Sequence, residues 1–507
     1  MSRPGVPGWD RWFGLFVLVL VLLSAFPAHA AGDSDVREVS FVLSKETVIQ
    51  PATAVFMLGV FLSIFSLPLR NLLIPLLATC VFITYSERVV AAGITFDMRR
   101  LVMIALFVRL WSRGELILRR FNDLDRMFFW WAGVMAVAPL FAGTSGVGTV
   151  LGFLMDSVMA YIVLKSLLQD EGSLLKACKV LVLLSVPICG LMLLERRLET
   201  NFLHYLGTPP DVQIREGEAR AQAAFEHPIL AGTFGAILFF LAVMLYREKE
   251  QKWLRRLAVV GMGTSVMIVS ASKSSGPLYA LIFGWLGLGL WFVRQHIATI
   301  RRTVWAGMVA IHLGMLLNGS GPIWTLLYKI PDRLGFVAGS TSYFRSALID
   351  AAVTHFGQWC FFGTSIDNVA TWFWGAQDLA NEFVFIAVSC GFLGLLFFIM
   401  VLVRAFRYVG MRVKRSSLPP LERWTAWVLG CTVFAEIASF FSVSYFSGFW
   451  LYLYLTIALI SRFCDPYRTD DVETEGEPGT ENDPQEDGSE AADVADAPAP
   501  SPRWEPV

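Results

Sequence analysis

The sequence predicts an all-α fold: a polytopic transmembrane helical bundle of about 13–14 spans, with a long periplasmic loop and a disordered acidic C-terminal tail. Three observations lead there. Of 507 residues, 55% are hydrophobic and only 16% charged, where a soluble domain carries about 25% charged residues. The deficit is concentrated: no charge falls between Arg126 and Asp156, between Glu382 and Arg404, or between Glu436 and Arg462. Roughly 20 apolar residues cross a bilayer, and helices are the economical spanning element because lipid offers the backbone no hydrogen-bond partner.

Taken in order, residues 1–31 combine Arg3 and Arg11, an apolar run Phe13–Leu23 and Ala28-His29-Ala30-Ala31. This fits a cleavable signal peptide, and it fits a first transmembrane helix equally. Both place the segment 32–50 outside. A transmembrane domain over 32–464 then has expected spans near 52–68, 71–86, 101–112, 128–144, 147–164, 177–195, 228–246, 257–272, 275–293, 303–318, 383–403, 424–441 and 444–461. The piece 101–112 is short and flanked by Arg99, Arg100, Arg109 and Arg113, as a tilted or interfacial helix would be.

Orientation follows from the Lys/Arg bias of short loops. The loops with Arg113/Arg119/Arg120/Arg126, Arg247/Lys249/Lys252/Arg255/Arg256, Arg294/Arg301/Arg302 and Arg404/Arg407/Arg412/Lys414/Arg415 are cytoplasmic. Loops 196–227 and 319–378 and the turn around Lys273 then face the periplasm. Loop 87–100 conflicts, because Arg88, Arg99 and Arg100 land outside. The net charge of −1 hides a split. The tail 465–507 holds 14 acidic residues against Arg468 and Arg503, leaving 39 basic against 28 acidic elsewhere. Rich also in Pro and Gly, the tail cannot bury enough apolar area to fold. It offers a docking segment for a cytoplasmic partner with a basic surface. The seven cysteines lie mostly in expected spans and show no disulfide or metal spacing. Nothing points to nucleic acid; membrane lipid is the one certain surrounding.

Three outward segments carry the polar candidates. The first runs from Arg215 to Arg220 and on through His227-Pro228-Ile229. The second is the turn Ser270-Ala271-Ser272-Lys273-Ser274-Ser275-Gly276-Pro277. The third is the long loop, with Arg345, Asp350, His355 and the closing Asp378-Leu379-Ala380-Asn381-Glu382. Arg220, Lys273 and Arg345 are cations on a side normally depleted of them. An anionic partner would account for all three, since the planar guanidinium binds two oxygens of a phosphate at once. Plainer roles compete: a lone arginine anchors at headgroups, His227 before proline starts a helix, and Gly391 and Gly394 let helices pack closely. Asp156, His312 and Glu436 lie inside expected spans, where ionisable groups are costly and mark function by default.

Together these segments resemble the O-antigen ligase and O-antigen polymerase superfamily of bacterial membrane glycosyltransferases, over roughly residues 190–405. The matching pieces are Arg220 with His227, Pro228, Ile229 and Gly232; the Ser-rich turn, with Lys273 where the family has Arg; and Asn381, nine residues, Gly391, two residues, Gly394. The resemblance implies a multi-pass protein of the bacterial inner membrane, C-terminus cytoplasmic. It would join polyprenyl-pyrophosphate-linked glycan units at the periplasmic face, without metal or cofactor, in exopolysaccharide or O-antigen assembly. The resemblance also implies other polysaccharide assembly proteins as partners of the acidic tail. Arg220, Lys273, Arg345, His227 and Asn381 would bind pyrophosphate and glycan. The ligases carry a His where this chain has Ala380, so Glu382, Asp378 and His355 become the candidate bases. An O-antigen ligase, a transporter or flippase, and a non-catalytic subunit of an envelope polysaccharide machine are the competing functions.

Overall fold

The computed structural model describes residues 47–465 apart from 85, 92–93, 119–120, 145, 170–171, 216, 248–251, 327–328, 331–339 and 373–378. The expectations for residues 1–31, for the acidic tail and for Asp378 lie outside the described residues. The chain is mostly helical, as its composition requires.

The helices run in order α1 Pro51–Ser66, α2 Leu73–Phe82, α3 Met98–Ser112, α4 Asp123–Phe141, α5 Val147–Leu154, α6 Ala160–Leu167, α7 Gly172–Leu198, α8 Pro228–Tyr246, α9 Lys252–Ala271, α10 Ser275–Gly289, α11 Ile297–Leu317, α12 Ser340–Thr354, α13 Phe356–Trp359, α14 Ile366–Trp372, α15 Glu382–Lys414, α16 Pro420–Phe440 and α17 Trp450–Phe463. Among the described residues, seven helical segments are long and apolar enough to cross a membrane, and three shorter apolar ones flank them. This is a membrane protein.

Local sequence sets the helix starts. Asn122 caps α4 in a capping box with Asp125, and Asn381 caps α15 by accepting from the Val384 amide. His227 caps α8 ahead of a proline at the first helical position, where the missing N–H costs nothing. The sequence is apolar all round α8, and 78% of its spanning window is buried, against 33% for the run Ser275–Leu317. A helix with no polar face belongs at the centre. Small residues let its neighbours approach. A Cβ on Gly232 would lie 2.5 Å from Ser272 Oγ and 2.7 Å from Pro277 Cγ, and one on Gly235 would lie 2.9 Å from Ile268. Glycine therefore brings α9 and the 272–277 turn against the first turns of α8.

Three features depart from the sequence reading. Two spans were expected over 275–318, joined by a loop at Arg294–Arg302. Two helices do lie there, α10 and α11, but a 3-10 segment, Leu290–His296, kinked at Val293 (φ −113°, ψ 19°), joins them in place of an open loop. No Gly or Pro stands between Leu290 and Ile300 to break it. Two short antiparallel hairpins also appear: β1 (Arg88–Ala91) pairs with β2 (Ile94–Asp97), and β3 (Gln213–Arg215) with β4 (Glu218–Arg220), placing Gln213 opposite Arg220. Finally, α15 is broken at Gly391, whose φ of 79° and ψ of −178° suit only glycine. A Cβ there would stand 2.3 Å from the Phe361 carbonyl oxygen. Into the break comes the segment 360–364, with the Phe392 amide donating to Cys360 O at 2.8 Å and the Thr364 amide to Val388 O at 2.7 Å.

Intramembrane charges find partners. Asp156 sits in a π turn, Met155–Met159, between α5 and α6. It takes a two-pronged contact from Arg100, Nε to Oδ1 at 2.7 Å and Nη2 to Oδ2 at 2.5 Å. One of the three arginines that upset the charge rule is thus neutralised. More fully buried, at the start of α4, Asp125 accepts from Tyr161 Oη at 2.7 Å, Lys165 Nζ at 2.7 and 3.0 Å and Ser461 Oγ at 2.5 Å, tying α4, α6 and α17 together. Breaking a buried pair strands its partner charge. Asp125→Ala is expected to lose about 3–5 kcal/mol of stability, and the pair exchange Asp125→Asn with Lys165→Met much less. Thermal unfolding of the purified variants checks this; equal losses would contradict it.

One end of α8 carries a belt of cations over aromatic rings: Arg247 over Trp424 at 4.8 Å, Arg255 over Tyr246 at 5.1 Å, Arg294 over Trp291 at 4.2 Å and Lys179 over Trp253 at 5.6 Å. Such rings and cations mark a membrane–water boundary. His227 lies at the opposite end.

Candidate functional site

At that opposite end four pieces of chain meet: the β4 strand running into α8, the turn between α9 and α10, the helix α12, and the segment after α16. Arg220 ends β4. Its backbone neighbour Ala221 donates to Ala271 O at 3.1 Å, which fastens the strand to the end of α9. The Arg220 side chain is 7% exposed. Its Nη2 donates to Ser274 Oγ at 2.6 Å and its Nε to Ser272 O at 3.4 Å. Both acceptors are neutral, and among the described residues no carboxylate pairs with it. Burial, and then the nearby Arg215 guanidinium, hold its pKa below the usual arginine value. Ser274 precedes α10 without capping it, because its hydroxyl is engaged by Arg220.

Arg345, on α12, is buried and donates from Nη2 to Ser442 O at 3.0 Å. Ser442 is also the residue that a Cβ on Gly276 would strike, 2.1 Å from its Oγ. The 442 segment therefore rests against both Arg345 and the start of α10.

His227 lies within the field of both guanidinium groups. Burial first, then Arg220 and Arg345, push its imidazole down to about 4. Its Nδ1 accepts from the Ile229 amide at 3.1 Å, which places the proton on Nε2. In this arrangement His227 is a neutral donor, not a base. The sign of the pH effect follows. The unfolded chain takes up a proton near 6.5, while the folded chain stays neutral down to about 4. Stability is therefore full above pH 6.5 and falls between 6.5 and 4, by on the order of 3 kcal/mol. His227→Gln is expected to flatten that part of the stability–pH curve; an unchanged curve would contradict it.

The remaining candidates are placed as follows. Lys273 has a left-handed φ of 45° and turns away to Glu218, Nζ to Oε2 at 2.6 Å. This pair is partly exposed. Asn381 is buried as the α15 cap. Glu382 is fully buried, one oxygen accepting from the Tyr445 amide, the other without a hydrogen-bond donor among the described residues. His355 is stacked on Trp372, ring centroids 4.8 Å apart, with Nδ1 2.9 Å from Ala351 O. His312 accepts from the Ile323 amide at 3.2 Å, and Glu436 from Thr456 Oγ1 at 3.2 Å.

Glu195 escaped the sequence reading. It stands near the end of α7, 1% exposed, and accepts the amides of Gln222 at 3.0 Å and Ala223 at 2.9 Å and Asn201 Nδ2 at 3.3 Å. Ala223 is held at φ 50°. This carboxylate fixes the turn between Arg220 and His227 and so sets the spacing of the two. No local motif marks it, because its partners lie 27 and 28 residues away.

Chemically, the arrangement is a concentration of buried positive charge: one guanidinium satisfied only by neutral oxygens, a second nearby, and a histidine N–H beside them at the N-termini of α8 and α10. Buried charges are normally paired, and helix N-termini favour anions. No protein-family model matches the chain, and no curated protein matches it significantly.

Proposed function

We propose that the chain is a polysaccharide polymerase-like glycosyltransferase that joins polyprenyl-pyrophosphate-linked glycan units at the periplasmic face of the bacterial inner membrane. The observation that supports this reading best is Arg220: a buried guanidinium with which no carboxylate pairs among the described residues, next to His227 and Arg345 at one end of the bundle. A diphosphate supplies the missing negative charge. As the glycosyl bond breaks, charge grows on the diphosphate leaving group, and fixed cations in a dry site stabilise it. His227 Nε2–H adds a neutral donor. The basic, aromatic-lined end carrying Arg247 and Arg255 then faces the cytoplasm, by the charge rule. Glu382, which accepts from the Tyr445 amide three residues beyond Arg345's partner Ser442, is assigned the acceptor proton.

Glu382→Gln tests that assignment, since glutamine keeps an oxygen for the Tyr445 amide. Transfer measured with a synthetic lipid-pyrophosphate glycan is expected to fall at least a hundredfold, with binding of the lipid donor retained. Normal transfer would remove Glu382 from the chemistry, and loss of donor binding would make it structural.

A further inference from the structure

The turn from Arg220 to His227 is held in a form that its own sequence does not prefer. Ala223 has a φ of 50°, in the left-handed region, where a Cβ crowds the backbone and glycine is the usual occupant. Two buried side chains grip it. The Ala223 amide donates to Glu195 Oε2 at 2.9 Å, and its carbonyl accepts from Asn201 Nδ2 at 2.8 Å. Glu195 Oε1 accepts the Gln222 amide at 3.0 Å and Asn201 Nδ2 at 3.3 Å. Glu195 and Asn201 are each 1% exposed, and Ala223 is fully buried. Asn201 is fixed in turn, its amide donating to Pro210 O and its Oδ1 accepting from the Leu203 amide, both at 2.9 Å. The grip is therefore anchored in α7 and the loop after it, outside the turn that it shapes.

Both oxygens of Glu195 accept from N–H groups at once, as an ionised carboxylate can. A glutamine there would set its own NH2 group against one of the two amides. The ends of the turn are fastened separately: the Ala221 amide to Ala271 O, and His227 as the cap of α8. What the grip decides is the path between them. Released, Ala223 would relax out of the left-handed region and change how Arg220 stands to His227. A strained residue persists only where its surroundings over-determine it, and such residues cluster at functional sites.

We infer that Glu195 is a positioning residue: through the backbone of Ala223 it holds Arg220 and His227 in the mutual geometry that acts on the diphosphate. The catalytic half of this rests on the proposed function; the geometry that Glu195 sets between the two side chains does not.

The test uses the full chain in lipid nanodiscs and two readouts. The first is transfer from a synthetic lipid-pyrophosphate glycan. Glu195→Gln is expected to lower kcat at least about tenfold and to change KM less than about threefold, because misplaced groups cost the transition state more than the bound donor. Adding Ala223→Gly to that variant is expected to recover most of the loss, since glycine adopts the left-handed turn without the grip. The second readout needs no activity. It is the NMR titration of the His227 imidazole, identified by the signal lost in His227→Gln. It is expected at about 4 in the wild type. Glu195→Gln should raise it by about one pH unit as the Arg220 guanidinium moves off, and Ala223→Gly should bring it back. Thermal unfolding verifies that each variant is folded. Asn201→Ala releases Ala223 from its carbonyl side and is expected to move both readouts in the same direction, should Glu195→Gln fail to fold. A folded Glu195→Gln with wild-type kcat, or with a wild-type His227 titration, overturns the positioning role, as does an Ala223→Gly that restores neither. If the wild type transfers nothing while the titration shifts and recovers, the proposed function falls and the hold of Glu195 on His227 stands.

Discussion

Arg220→Ala is expected to reduce glycan transfer by about 10²–10³-fold, the usual effect of removing one fixed donor from a developing anion, while leaving thermal stability unchanged or slightly raised. The second half of that expectation distinguishes a binding residue from a structural one. Arg220 is buried against a serine hydroxyl and a backbone carbonyl, and among the described residues no acid compensates its charge. Removing a paired buried cation destabilises; removing one that lacks an acid also removes its desolvation cost. Transfer is measured with a lipid-pyrophosphate glycan and purified protein, stability by thermal unfolding of the same sample. A variant that transfers normally would exclude Arg220 from the site. One that loses activity only in proportion to lost stability would make it a structural hydrogen-bond donor.

Gly391→Ala is expected to destabilise the folded protein by about 3 kcal/mol or more. Two costs combine. The backbone at φ 79° and ψ −178° is a region that residues with a Cβ avoid. The added Cβ would also lie 2.3 Å from Phe361 O, against rigid backbone. Relief would require the segment 360–364 to withdraw, breaking the hydrogen bonds Phe392 N to Cys360 O and Thr364 N to Val388 O. Gly363 gives a useful control, because its own Cβ would meet Ser389 backbone at 2.5 Å and its φ is 86°. Gly363→Ala should therefore loosen the same junction from the other side, and the double variant should cost less than the two single losses added. Near-native unfolding of Gly391→Ala would show that the break in α15 is not obligatory.

The helices were legible because hydropathy is a property of contiguous residues, and lipid requires helices of those residues; the expected 13–14 spans were not, since among the described residues seven segments are long and apolar enough and three more are shorter. The junction within Ser275–Leu317 was less legible: Arg294, Arg301 and Arg302 look like an open loop by charge, yet without Gly or Pro the two helices are joined by a 3-10 segment kinked at Val293. The β hairpins, three and four residues per strand, are too short for alternation to register. Within the site, Arg220, His227 and Arg345 could be picked out one by one as cations or polar residues on the wrong side, but their common location is a product of tertiary packing. Lys273 looked equivalent by charge; a left-handed turn and Glu218 send it elsewhere. Gly391 resembled a helix-packing glycine, and it took the position of Phe361 to give it another purpose. Glu195 and the Arg100–Asp156 pair act through partners distant in sequence, so no spacing revealed them.

A structure of the full chain with an undecaprenyl-pyrophosphate glycan bound tests the assignment most directly. The diphosphate is expected between Arg220 and Arg345, with His227 Nε2 donating to one of its oxygens. A diphosphate seated elsewhere, with Arg220 still holding Ser274 and Arg345 still holding Ser442, would contradict it.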